Sequence, residues 1–164
     1  MYNESKGVTV TVECVLGNDW KVSSYAPYSC TATFYMLLDG IPFPNESWSD
    51  FPLTVLQWWA DTLRGQWGTK KKSTFRLSFM DGPVYLECLQ NGAELSIRGI
   101  INRHHPVCIA TCNCGLSDLI DAVIHVGEQA LRSLYLAGIE NAADKDALAL
   151  SIRALKTARN AEKG

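Results

Sequence analysis

The sequence predicts an α+β fold: a single layer of about six mainly antiparallel strands with three helices packed on one face, the last two as a C-terminal helical hairpin. Three observations carry this expectation. Apolar and polar residues alternate with period two through much of the first 114 residues, Asp-Gly and Asn-Gly turns join the middle strands as neighbours, and apolar residues recur at helical spacing after residue 115. A chain of 164 residues suits one domain, with a strand-rich part at 1–114, a helix inserted at about 52–67, and the hairpin at 115–164.

The first strand places Val8, Val10, Val12, Cys14 and Leu16 on one phase, with Thr9, Thr11 and Glu13 on the other. In the second, Cys30, Ala32, Phe34, Met36 and Leu38 oppose Thr31, Thr33 and Tyr35. Ser49-Asp50 can cap a helix, Pro52 suits its first turn, and Leu53, Leu56, Trp59, Ala60, Leu63 and Trp67 recur at helical spacing. Trp59 and Leu63 share a face with Leu56, so they are expected to anchor this helix to the strands. Phe75, Leu77 and Phe79 then oppose Thr74, Arg76 and Ser78. Asp81-Gly82-Pro83 turns the chain into Val84, Leu86 and Cys88, and Asn91-Gly92 turns it again into Leu95, Ile97, Gly99 and Ile101. These three strands read as a meander. A sixth strand, 106–114, puts Cys108, Ala110, Cys112 and Cys114 on one side.

Ser117 can cap a second helix, in which Asp118, Asp121, His125, Glu128 and Arg132 form a polar stripe. Opposite lie Leu119, Ile120, Val123, Gly127, Ala130, Leu131 and Leu134, and Gly138 is a natural stop. The third helix, about 143–161, carries Leu148, Ile152 and Leu155 beside Ala147, Ala154 and Ala158, small residues that let paired helices approach closely.

With 15 Lys+Arg against 17 Asp+Glu, a net charge of −2 and a pI near 5.9, the chain lacks the basic clusters of a dedicated nucleic-acid binder. The one basic run, Lys70-Lys71-Lys72, sits between Gly68-Thr69 and Ser73-Thr74 and reads as a solvated turn. The uncharged stretch at 22–38 contains Pro27 and several Ser and Thr, so no membrane span is expected there. Glu4, Lys6 and Glu13 interrupt the start of the chain, unlike a signal peptide, which points to the cytoplasm.

All six cysteines fall on the phase inferred to be apolar and are expected as core residues in a reducing compartment. A zinc site from His104, His105, Cys108, Cys112 and Cys114 is the sharper alternative. Along an extended strand Cys108 and Cys112 lie about 13 Å apart, too far for one tetrahedral ion, so no metal is expected. A Cys-His nucleophile meets the same separation, and His125 beside Asp121 and Glu128 reads as a helix-surface ion pair. Without a phosphate loop, nucleophile elbow or His-Glu-x-x-His, no catalytic residue and no cofactor are expected.

The informative feature is the strand phase that the helices leave uncovered. It displays Tyr35, Arg76, Tyr85, Glu87 and Arg98 among threonines and serines, and tyrosine and arginine are frequent interface anchors. Aromatic residues in the loops add candidate contacts, chiefly Trp20 near Tyr25 and Tyr28, and Trp48 near Ile41 and Phe43. These seven residues are the candidate partner-binding set.

The layout of N-terminal strands, then Trp48-x-x-Phe51-Pro52-x-x-Val55-Leu56-x-Trp58-Trp59, then Phe75-Arg76-Leu77-Ser78-Phe79-Met80-Asp81-Gly82-Pro83 and a meander, resembles small bacterial immunity proteins. Those proteins protect a cell from contact-dependent growth inhibition and related polymorphic toxins. The resemblance covers roughly 1–101 and implies a cytoplasmic, non-enzymatic protein that binds one cognate toxin domain and blocks it by occlusion. It carries no individual residue across. Two other classes compete: a secretion chaperone or adaptor, with the helical hairpin as a homodimer face, and a small ligand-binding or enzymatic domain with its pocket between sheet and helices. A toxin reading frame immediately upstream favours the first class, a neighbouring secreted effector the second and a biosynthetic operon the third.

Overall fold

The computed structural model describes residues 11–69 and 71–161. Among them nine strands form two antiparallel sheets. The first contains β1 (Val12–Leu16), β2 (Lys21–Val22), β3 (Cys30–Leu38), β4 (Ile41–Phe43) and β5 (Ser49–Asp50), and every other strand in it pairs with β3. The second is a meander of β6 (Ser73–Ser78), β7 (Val84–Asn91), β8 (Glu94–Asn102) and β9 (Pro106–Gly115), in that order. The helices are α1 (Pro52–Gln66), α2 (Leu116–Leu136) and α3 (Lys145–Ala161).

The α+β class and the C-terminal helical pair are as expected, but the single layer of six strands is two sheets. Alternation says which face of a strand is buried and is silent about which sheet the strand joins. Here Asp39 and Gly40, at φ of 48° and 79°, reverse the chain tightly between Leu38 and Ile41. Paired positive φ values of this kind fit a two-residue hairpin. The chain then runs through α1 before the meander begins, so the first strands close among themselves. Val8, Thr9, Val10 and Lys70 lie outside the described residues.

Alternation in β3 is realised throughout: Cys30, Ala32, Phe34, Met36 and Leu38 are buried, and Thr31, Thr33 and Tyr35 are half-exposed. The core is aromatic at its centre. Phe79 packs against Trp59, Phe43, Phe34 and Trp48 at ring separations of 5.2, 5.8, 6.1 and 6.3 Å. Trp59 and Leu63 are fully buried, as the helical spacing of α1 requires, while neighbouring Trp58 is 43% exposed. The Trp59 indole N–H donates to the Ser78 carbonyl at 2.8 Å, so burial leaves that donor satisfied.

Two expected caps fall elsewhere. The N-cap of α1 is Phe51, and Asp50 beside it is buried, accepting hydrogen bonds from the Phe51 N–H at 2.7 Å and the Trp48 indole at 2.8 Å. The N-cap of α2 is Gly115, not Ser117; the Asp118 carboxylate accepts from the Gly115 N–H at 2.8 Å, holding negative charge at the positive end of the helix. At the other end Gly138 adopts φ 72°, while Ile139 and Gly138 donate back to the carbonyls of Leu134 and Tyr135. α3 runs antiparallel to α2. Lys156 meets Glu128 at 3.3 Å and Arg159 meets Asp121 at 3.2 Å, so the carboxylates flanking His125 pair across to α3 rather than with the imidazole. A Cβ on Gly127 would fall 2.5 Å from Ile152 Cδ1, a measure of how closely the small residue lets these helices approach.

Where β9 meets β8, Gly99 faces Ala110 but Ile100 faces Cys108, so Ile109 is an extra residue. This bulge flips the strand phase. Cys108 is therefore exposed instead of buried. The phase of β8 itself is unchanged: Ile101 stays opposite buried Val84 and packs against the core, while Ile100 is buried beside Tyr85 on the opposite face. Cys30, Cys88 and Cys112 are buried as expected, and Cys14 and Cys114 are half-buried.

Candidate functional site

On the outer face of the four-stranded sheet the register sets Arg76 opposite Glu87, Glu87 opposite Arg98, and Arg98 opposite Thr111. A carboxylate thus stands between two guanidinium groups, and this row carries one net positive charge on a weakly acidic protein. Arg98 Nη1 meets Glu87 Oε1 at 3.2 Å. The Cys108 sulfur and the Glu87 carboxylate beside Arg98 hold its guanidinium more firmly in the charged form. In the adjacent row Tyr85 lies opposite Ser78 and Ile100. The Arg76 guanidinium sits 4.2 Å from the centre of the Tyr85 ring, a cation–π distance.

That stacking corrects one expectation: Tyr85, read as an exposed anchor, is only 5% exposed. It is the bed on which Arg76 lies. The remaining expected anchors are dispersed. Tyr35 belongs to β3 in the other sheet, half-buried opposite Val15. Trp20 is held against α2 by its indole N–H, which donates to Ser133 Oγ at 2.7 Å. Trp48 packs edge-on to Phe79 and donates to Asp50 Oδ2 at 2.8 Å. Of the seven candidates, Arg76, Tyr85, Glu87 and Arg98 come together, and Tyr35, Trp20 and Trp48 do not join them.

Thiol chemistry is suppressed over most of the chain. Burial raises the pKa of the Cys14, Cys30, Cys88 and Cys112 thiols, and desolvation with the neighbouring Cys112 pushes Cys114 up to about 12. Among the described residues no three His, Cys, Asp or Glu side chains converge as metal ligands. No helix among those residues is long and apolar enough to cross a membrane.

Two features escaped the sequence reading. A groove of about 650 Å³ runs between β1 and α2, with Asp118, Asp121, His125 and Gln129 along its helical wall. The polar stripe of α2 was the available signal, but nothing in the residues of β1 announced that its edge lies alongside. A smaller cavity of about 400 Å³ lies between the end of α1 and the β7–β8 turn. Two of its lining residues, Trp67 and Gln90, hold buried atoms without a hydrogen-bond partner among the described residues, the Trp67 indole N–H and Gln90 Oε1. Gln90 Nε2 is tied to the carbonyls of Thr69 at 2.9 Å and Gly92 at 3.1 Å, which orients the amide.

No protein-family model matches the chain, and no curated protein and no solved structure matches it.

Proposed function

We propose that this chain is a cytoplasmic immunity protein that binds one cognate bacterial toxin domain and neutralises it by occlusion, without turnover of its own. The contact surface in this reading is the outer face of β6–β9. The observation that carries it is the ordering of two arginines on an open face: Arg76 on the Tyr85 ring and Arg98 against Glu87. A long side chain already held in place loses less entropy on binding, and ordered arginines are typical interface anchors. Leu89, 50% exposed on the same face, adds apolar area. The row's net positive charge suits an acidic patch on the toxin domain. Co-expression with the toxin domain encoded by the adjacent upstream reading frame tests this function. Rescue of growth is expected from the wild-type chain, and no rescue would remove the immunity reading.

A secretion chaperone or adaptor that dimerises through the helical hairpin is the second reading. It is favoured by Tyr135, Leu136 and Leu150, apolar side chains on α2 and α3 that are 83%, 76% and 63% exposed. A dimer in sedimentation equilibrium that dissociates on changing Leu136 and Leu150 to Glu would support it.

A further inference from the structure

We propose that the edge of β1 turned away from β3, with which no strand among the described residues pairs, docks an extended strand of a partner protein carrying Lys or Arg at every second position. This site is separate from the outer face of the second sheet and does not depend on what that face binds.

Hydrogen-bond parity identifies the groups on offer. The Asp39 N–H donates to the Thr11 carbonyl and the Gly17 N–H to the Thr33 carbonyl, both at 2.8 Å. Opposed residues in an antiparallel pair alternate between bonded and unbonded. Glu13 and Val15, in step with Thr11 and Gly17, therefore turn their N–H and C=O groups toward β3. Val12, Cys14 and Leu16, opposite Leu38, Met36 and Phe34, turn theirs away from it. Among the described residues no strand pairs with that edge. An edge of this kind is a template for one more strand.

The α2 wall says what kind of strand fits. Asp118, Asp121 or Ala122, His125 and Gln129 recur roughly every turn of α2, a rise of about 6 Å. Same-face residues of a strand are about 6.8 Å apart, so alternate side chains of an added strand each meet one position of the helix. Charge along the groove is acidic. Glu13, Asp118 and Asp121 line it and no Lys or Arg does, although Asp118 also accepts from the Gly115 N–H at 2.8 Å and Asp121 is shared with Arg159 of α3 at 3.2 Å. Basic side chains are favoured there. A second copy of β1 is disfavoured, because it brings its own Glu13 against the same acids.

The probe is an acetylated, amidated peptide, Lys-Val-Lys-Val-Lys-Val-Lys, titrated into the full chain while amide hydrogen exchange is followed by NMR. At a peptide concentration about ten times its dissociation constant, exchange at Val12, Cys14 and Leu16 should slow by about tenfold. Glu13 and Val15, already bonded to β3, should not change, and a peptide with Glu for each Lys should give no protection. Equal protection by the Glu peptide would overturn the charge argument. Amides of Val12, Cys14 and Leu16 that are already protected in the free protein would show the edge covered, by residues 1–10 or by a second copy, and would overturn the site. Absence of any protection at saturating peptide would overturn it as well.

Discussion

The ring of Phe43 occupies the space that a side chain at Gly99 would need: a Cβ there would fall 2.5 Å from the ring's Cδ2. This contact joins β4 to β8, strands of two sheets that share no backbone ladder among the described residues. Phe79 backs the ring at 5.8 Å, so the ring has little room to yield. Gly99→Ala should destabilise the protein by about 1–3 kcal/mol through overpacking. At Gly127 the clash is with the tip of Ile152, which can turn, so Gly127→Ala should cost less. Urea unfolding of the two variants compares them, and equal losses would contradict the view that Phe43 locks the sheets together.

Adjacent tryptophans on α1 should behave oppositely. Trp59 is fully buried and hydrogen-bonded to the Ser78 carbonyl, so Trp59→Ala should cost about 3–5 kcal/mol. Trp58 is 43% exposed, and Trp58→Ala should stay below about 1 kcal/mol. Denaturant titrations of both variants decide the matter; comparable losses would place the helix on a different face.

Only one thiol should react quickly in the native protein. Cys108 is exposed beside Arg98, whereas burial pushes the other described thiols toward their neutral, unreactive form. Native labelling with a disulfide reagent should show one fast equivalent out of six, abolished by Cys108→Ser. Two or more fast equivalents would mean that the β9 edge or the β1 groove opens readily.

What the sequence disclosed, and what it concealed, follows from which interactions are local. The phase of β3, the face of α1 and the order of the meander are written in spacing and turn residues, and all three could be read. The division into two sheets depends on tertiary contacts such as Phe43 with Gly99, which no period reports. The bulge at Ile109 shows why a phase argument fails at a point: Cys108, Ala110 and Cys112 are two residues apart in sequence, yet one extra residue turns Cys108 outward. Tyr85 sits on the outward phase as expected, but Arg76 from the neighbouring strand covers it. The edge of β1 is a property of backbone groups, to which side-chain patterning is blind.

Acid should weaken the tie between Thr33 of β3 and the β1–β2 connection that carries Trp20. The Thr33 N–H and then the Thr33 hydroxyl, at 2.9 and 2.7 Å, hold the Asp19 carboxyl below its ordinary pKa. A lowered pKa in the folded state contributes stability above the unfolded value of about 3.9, and that contribution is lost as pH falls from there through the folded value. Asp19→Asn should flatten this part of the stability profile without altering its slope above about pH 5. Chemical unfolding of both proteins between about pH 2 and 6 checks it, and parallel profiles would contradict the assignment.

A calorimetric titration of the upstream-encoded toxin domain with the wild-type chain, and with a variant carrying Arg76→Gln and Arg98→Gln, which sets no like charges opposite Glu87, tests the outer face of β6–β9 as the contact surface. Stoichiometric binding by the wild type is expected. In the variant, binding should weaken by about 2 kcal/mol or more, roughly thirtyfold, with a melting temperature close to that of the wild type. Equal affinity in the two proteins would contradict the outer face of β6–β9 as the contact surface, and no binding by the wild-type chain would contradict the immunity function itself.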